Sequence, residues 1–353
     1  MPTPSSPDEG LTAGLLARCT FPPSGTALTC AVSGGADSLA LLVLATAAGC
    51  RVTAVHVDHG LRPGSAAEAG VVSAAAARYG AAFRSERVSV PDGPNLEARA
   101  RRARLRVLGP GAATGHTADD QAETVLANLL RGAGVDGMAA MRAGPGHPLL
   151  GLRRAETEAL CRREGLDPVV DPSNRDPRFL RNRIRAELLP LCSAVAGRDV
   201  VPVLARQAGV LAGDADVLAA VAALLDPTDA RAVAAAPDPA ARRSVRRWLT
   251  GDGPYAPPLD AVERVLAVAR GARAATELPG GTRVVRSGGR LSTGAPAEEP
   301  EAPVDELEGP ADEREGPPAP GGAAAPGSDP AVAAPPGRSR AGSPGAPTGT
   351  VGL

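Results

Sequence analysis

Two short stretches carry residues whose types and spacing can do chemistry. The first is Ser33-Gly34-Gly35-Ala36-Asp37-Ser38; the second is His116-Thr117-Ala118-Asp119-Asp120-Gln121-Ala122-Glu123. Before the first, an apolar run over residues 27–32 reads as a buried strand, and a leucine-rich helical pattern starts at Ser38. A strand, a glycine turn and a helix start aim backbone N–H groups at a phosphate. Gly34 and Gly35 permit positive φ and close approach of a ligand to the backbone, and Ser33 and Ser38 add hydroxyl donors. A carboxylate beside a phosphate is repelled unless a cation lies between them, so Asp37 points to Mg2+. The turn has neither the lysine of G-x-x-x-x-G-K-[ST] nor the spacing of G-x-G-x-x-G. In the second stretch, Asp120 and Glu123 stand three apart on the first turn of a helix and share a face. Such a pair can hold a cation or an ammonium group, and His116 can donate to a phosphate or hold a base. The plain alternatives are a capped glycine turn and an acidic first turn that complements the helix dipole.

Two more clusters follow. Asn128 to Met138 contains Gly132, Gly134 and Gly137 behind Arg131, a flexible loop with one guanidinium at its mouth or a simple helix end and linker. Asp171-Pro172-Ser173-Asn174-Arg175-Asp176 leads into a helix over 178–189 that bears Arg181, Arg183 and Arg185, with Leu180, Ile184, Leu188 and Leu189 as its buried stripe. Phosphate contacts to a nucleic acid and a solvated helix face in an arginine-rich chain both stay open here.

The elements that must position these groups alternate. Strands are expected at 27–32, 51–57, 82–90 and 112–115, and helices at 11–18, from 38 onward, at 65–79, 95–108 and 119–130. This spacing implies βαβ units, and so a Rossmann-like parallel α/β sheet with helices on both faces. Ligands bind such sheets at the carboxyl ends of the strands, where the Ser33–Ser38 turn, the segment His56 to Arg62 and the segment His116 to Asp120 all fall. A short strand at 148–150 and a helix at 154–164 come next. Residues 198–292 read as a small, mainly helical domain, with helices at 200–225, 231–234, 239–249 and 258–269, closed by a hairpin at 277–292. The expected division is a lead-in over 1–25, a catalytic domain over 26–192, the helical domain over 198–292, and a tail over 293–353. The tail is Pro, Gly, Ala and Glu with almost no large apolar residue, a composition expected to be disordered.

The chain has 353 residues and only 2% aromatics, so Ala, Leu and Val must fill the core. All of its basic side chains besides histidine are Arg. The net charge is −1, yet ten acidic and three basic residues fall after residue 292, which leaves the preceding part at +6. That balance permits a nucleic-acid partner. Cys19, Cys30, Cys50, Cys161 and Cys192 form no C-x-x-C pair and have no histidine at metal-ligand spacing. They read as small buried residues of a reducing compartment. No signal pattern and no apolar run long enough for a membrane is seen, so a cytoplasmic location is expected.

Read as an ordered series, the motifs are S-G-G-A-D-S, H-V-D-H-G-L-R-P, the A-R-x-x-R element at Ala100 to Arg104, and G-H-T-A-D-D-Q-A-E-T. N-L-L-R-G-A-G, H-P-L-L and D-P-S-N-R-D…R-N-R-I-R-A-E-L-L-P follow. The first resembles the PP-loop of ATP pyrophosphatases, and the series over about 25–192 resembles the tRNA(Ile)-lysidine synthetases. The resemblance implies ATP and Mg2+ as cofactors, and the ligation of free L-lysine to C2 of the wobble cytidine in a CAU-anticodon tRNA(Ile). It implies that Ser33, Gly34, Gly35, Ala36, Asp37 and Ser38 hold the ATP phosphates, Asp37 through the metal. By the same resemblance His56, His59 and Arg62 line the nucleotide, and His116, Asp120 and Glu123 meet the adenylate and the lysine. Arg131 lies over the site, and Arg101 and Arg104, with Arg175, Arg181, Arg183 and Arg185, face phosphate or tRNA. Leu105 stands where an aromatic often follows the second Arg of the element, and His147 where an Arg commonly precedes Pro-Leu-Leu. The oligomeric state is left open, a homodimer included. A tRNA thiolase, a small-molecule amidotransferase-type ligase and a non-catalytic nucleotide or tRNA-binding module are the competing readings. The lack of paired cysteines counts against the first, and the Arg-rich helix and the absence of a glutaminase-like nucleophile against the second. Asp37, His116 and Asp120 count against the third.

Overall fold

A computed structural model describes residues 7–58, 65–88, 96–171, 176–251 and 256–294. Four parallel strands form the first sheet: β1 (Ala27–Ala31), β2 (Arg51–Asp58), β3 (Ala82–Arg87) and β4 (Ala113–Thr114), in the order β3-β2-β1-β4. The helices between them are α2 (Ala36–Ala47), α3 (Ser65–Arg78) and α4 (Leu96–Leu108), after α1 (Pro7–Leu16). The strands alternate their burial between two apolar layers. Leu28, Cys30, Val52 and Ala54 join the leucines of α2 on one face, while Ala31 and Val55 pack with Leu108 of α4 on the other. This two-sided burial is why the strands read as nearly continuous apolar runs.

Strand order turns at β1. β2 lies on one side of it and β4 on the other, so the chain segments leaving β1 and β4 diverge and open a crevice at their carboxyl ends. The turn into α2 leaves β1 there, and α5 (Ala118–Leu130) leaves β4. The two departures touch at Gly115, where a Cβ would stand 2.5 Å from the carbonyl oxygen of Asp37. Glycine at 115 therefore lets the second motif close on the first.

Residues 131–146, read from sequence as a loop, include one helical turn, α6 (Val135–Met138), fastened by Asn128 Nδ2 donating to the Gly137 carbonyl at 2.7 Å. Residues 148–150 are a turn rather than a strand; the β-bridge here pairs Gly144 with His147. α7 (Arg154–Arg163) then packs on α2.

The basic helix expected to end near 189 instead continues. α8 (Leu180–Arg183) passes through a π-helical turn (Ile184–Leu188) into α9 (Leu189–Ala196), which stops at left-handed Gly197. Pro190 sits in the first turn of α9, where the wider π-turn accommodates a residue with no N–H to donate. α10 (Val201–Ala223) packs on α5 and α6 and also on α12 (Asp238–Thr250), so it belongs to both halves of the described chain. α11 (Ala230–Ala235), α12 and α13 (Leu259–Ala269) share an apolar cluster with a three-stranded antiparallel sheet. That sheet is β5 (Ala275–Glu277), β6 (Arg283–Ser287) and β7 (Arg290–Gly294), whose two turns fall at Gly280-Gly281 and Gly288-Gly289 in the segment expected to close the domain. The expected tail lies outside the described residues beyond Gly294.

Gly115→Ala should cost about 1–3 kcal/mol by overpacking and weaken ATP binding, because the added carbon meets backbone of the phosphate turn. Gly146→Ala, whose added carbon meets nothing within 4 Å, should stay within about 0.5 kcal/mol of the parent. Thermal unfolding and nucleotide titration of the two variants check this.

Candidate active site

The crevice is a cleft of about 720 Å³. Its floor is the turn between β1 and α2. Gly34 takes φ +89°, which only glycine adopts readily, whereas Gly35 at φ −72° is ordinary extended backbone. Of the two glycines, Gly34 alone uses the positive φ that both permit. Ser38 Oγ donates to the Gly35 carbonyl at 2.8 Å and accepts the Ser33 N–H at 3.1 Å, which ties the turn shut on itself. No side chain caps α2, which leaves N–H groups of its first turn for a partner from outside the helix, and Gly35, Ala36 and Asp37 there line the cleft. The Val169 N–H donates to the Gly34 carbonyl at 3.0 Å, which brings a later segment over the turn.

The wall is built by α5 and α7. Asp120 Oδ2 accepts both the N–H and the hydroxyl of Thr117 at 2.9 Å, a reach back across the helix start that fixes its carboxylate. Asp119 beside it accepts Arg153 Nε at 3.0 Å, Arg153 Nη2 at 3.1 Å and the Arg154 N–H at 2.8 Å, and so clamps the start of α7 to the start of α5. Burial pushes the Asp119 carboxyl up, but these donors outweigh it and hold it below the ordinary carboxylate value.

That clamp delivers Arg154. Its guanidinium donates to Asp120 Oδ1 at 2.7 Å, to Glu123 Oε1 at 3.1 Å and, more weakly, to Asp37 Oδ2 at 3.4 Å. Glu123 is 2% exposed and also accepts Arg185 at 2.7 and 3.0 Å. Thr157 donates its hydroxyl to Asp37 Oδ1. Burial dominates at Asp37 and, with Asp120 nearby, raises its carboxyl above the ordinary value despite Thr157 and Arg154. The carboxylates in turn hold the Arg154 guanidinium charged, against its own burial.

Asp37 lines the cleft beside the glycine turn and is the carboxylate that could hold a divalent cation together with a bound phosphate. Among the described residues no three His, Cys, Asp or Glu side chains are gathered to hold a metal ion alone. Mg2+ commonly needs only one or two carboxylates plus substrate phosphate oxygens.

His116 lines the cleft, and its Nδ1 lies 2.7 Å from Thr114 Oγ1, which is also 2.7 Å from Nδ1 of His147. The two rings meet edge to face at 5.2 Å. Ser33, Gly35, Ala36, Asp37, Ser38, Arg104, Asp120 and Arg185 line the same cleft. His56 does not line it. It is 2% exposed, and its Nδ1 donates to the Val32 carbonyl at 3.1 Å, which leaves Nε2 buried without a partner among the described residues. Arg131 is exposed at the far end of α5, roughly 16 Å along the axis from Asp120 at 1.5 Å per residue. The length of α5 thus carries it away from the cleft. Arg181 and Arg183 are exposed on the outer surface, the latter paired with Glu187. His59, Arg62, Arg175 and the Arg101 side chain lie outside the described residues. Arg153, Arg154 and Thr157 carry no local sequence signal beyond the start of a helix.

Residues 15–192 match the family model of a PP-loop domain. With the glycine turn at the switch point of a parallel sheet, fold and site define a PP-loop ATP-binding protein. Residues 229–292 match the TilS substrate binding domain. The chain is 44% identical over 304 residues to the tRNA(Ile)-lysidine synthase of Nocardia farcinica, covering 79% of this chain and 95% of that relative. It is 42% identical over 308 residues to that of Salinispora tropica, covering 77% and 91%. The chain belongs to the tRNA(Ile)-lysidine synthase family. Among the described residues no single helix is long and apolar enough to cross a membrane.

Because ionised Asp37 is disfavoured in the fold, its contribution to stability falls as pH rises above the ordinary carboxylate value of 3.8. Asp37→Asn should therefore melt above the parent at about pH 7, and the gap should close near pH 3.5, where the parent's carboxyl is protonated. Calorimetry at the two pH values measures the difference.

Proposed function

We propose that this chain joins the ε-amine of free L-lysine to C2 of the wobble cytidine of a CAU-anticodon tRNA(Ile), through an adenylated tRNA. The observation that supports it is a glycine turn at the carboxyl end of β1 that shares one cleft with Asp120, whose carboxylate is joined through Arg154 to the buried Glu123.

The C2 carbonyl of cytosine is a poor electrophile with an oxide-like leaving group. In the first step its oxygen attacks the α-phosphorus of ATP, the bond from that phosphorus to the bridging oxygen breaks, and pyrophosphate leaves. The Ser33–Ser38 turn and the start of α2 hold the phosphates and meet the growing negative charge. Asp37 would hold Mg2+ against the departing pyrophosphate, where the ion neutralises phosphate charge. In the second step the lysine nitrogen bonds to C2, the C2–O bond breaks, and AMP carries the oxygen away. The amine must first lose the proton of its ammonium form. Asp120 and Glu123 bind the ammonium and take up that proton, and His116 faces the adenylate phosphate. An anticodon base reaches such a pocket at small cost because it is readily unstacked. The Arg side chains near the cleft, Arg104 and Arg185, supply positive charge on the side from which an RNA backbone approaches.

With ATP, Mg2+ and the CAU tRNA but no lysine, at most one equivalent of pyrophosphate per site should appear, with AMP held on the tRNA. Added lysine should then release AMP. Continuous AMP formation without tRNA, or none with all substrates present, contradicts the proposal. Asp120→Asn should keep the first half-reaction and raise the KM for lysine roughly ten- to hundredfold, as expected for loss of a charged hydrogen bond.

A further inference from the structure

Every carboxylate oxygen of Asp120 and Glu123 already accepts a donor. Asp120 Oδ1 accepts Arg154 Nη2 at 2.7 Å, and its Oδ2 accepts Thr117 twice. Glu123 Oε1 accepts Arg154 Nη1 and Arg185 Nε, and its Oε2 accepts Arg185 Nη2. An ammonium group that pairs with Asp120 competes there with a resident cation, and the nearer one is Arg154, because Arg185 approaches Asp120 only to 3.9 Å.

We propose that Arg154 is a resident stand-in for the substrate amine, one that transfers to the nucleotide phosphates when ATP binds and thereby makes lysine binding depend on ATP. The inference rests on the reading of Asp120 and Glu123 as the amine site and deepens it. Three features carry it. The backbone of Arg154 is pinned through its N–H to Asp119 at 2.8 Å, so the change is a swing of one side chain about a fixed Cα. The guanidinium already reaches the phosphate turn, with Nε 3.4 Å from Asp37 Oδ2. A planar guanidinium fork pairs with phosphate oxygens as well as it does with carboxylates. Without nucleotide, freeing Asp120 strands the Arg154 charge in a half-buried cleft, where an unpaired charge is costly. With nucleotide, the phosphates offer the replacement anion within reach of the same side chain. The sign of the coupling follows: ATP favours lysine, and by linkage lysine favours ATP by the same factor.

The test is titration calorimetry of L-lysine into the full chain, alone and saturated with α,β-methylene-ATP and Mg2+, which cannot be cleaved between the α and β phosphates. Lysine should bind the nucleotide-loaded protein about tenfold more tightly than the free protein, within the usual range of site-to-site coupling. Arg154→Ala removes the competitor, so its nucleotide-free form should bind lysine about as tightly as the loaded parent and gain nothing from nucleotide. Arg154→Lys keeps a charge at the position and should retain a nucleotide effect of the same sign. Equal lysine affinity in the free and loaded parent overturns the inference, and that result needs no variant. An unchanged nucleotide effect in Arg154→Ala also overturns it. Absence of lysine binding in either state instead removes Asp120 and Glu123 as the amine site, and the inference falls with it.

Discussion

One guanidinium among three carboxylates is the interaction on which the rest of this site depends. Asp37 begins the helix after β1, Asp120 and Glu123 begin the helix after β4, and Arg154 begins α7, which packs on the first of these helices. Three like charges brought into one cleft repel each other. Arg154 offsets that repulsion by donating to all three of them. Asp119 and Arg153 do the structural work beside it. Their ion pair, together with the Arg154 N–H, sets where α7 starts and so where the guanidinium can reach.

The parallel sheet makes this convergence possible. With order β3-β2-β1-β4, the carboxyl ends of β1 and β4 are neighbours whose following segments part to form the crevice. The absence of a Cβ at Gly115 brings the two segments into contact. Once they touch, the Ser33–Ser38 turn and the Asp120 carboxylate face the same cleft.

Local motifs made much of this legible from sequence. The glycine turn, the Asp120 and Glu123 spacing and the alternation of strands and helices are short-range patterns, and each stands in the structure where its pattern implied. What stayed hidden is long-range. Arg154 meets Asp37 across 117 residues of chain, and in a protein whose fixed cations are all arginine nothing local singled it out. Arg131 was misplaced because a loop glycine pattern does not reveal that a thirteen-residue helix carries it away from the cleft. The basic helix, expected over 178–189, runs on to Ala196 because a π-turn lets it pass through Pro190, and no local pattern marks a π-turn. His56, polar and at a strand end, turned inward to the Val32 carbonyl instead of toward the cleft, an orientation that side-chain chemistry alone does not set.

The claim that one cleft serves both nucleotide and amine is tested most directly on the product. The purified chain would be incubated with CAU-anticodon tRNA(Ile), ATP, Mg2+ and lysine, and the wobble nucleoside analysed by mass spectrometry. The account predicts a cytidine heavier by one lysine less one water, formed only when both ATP and lysine are present. An unmodified cytidine under those conditions, or one carrying sulfur in place of oxygen when a sulfur donor is added, would contradict it.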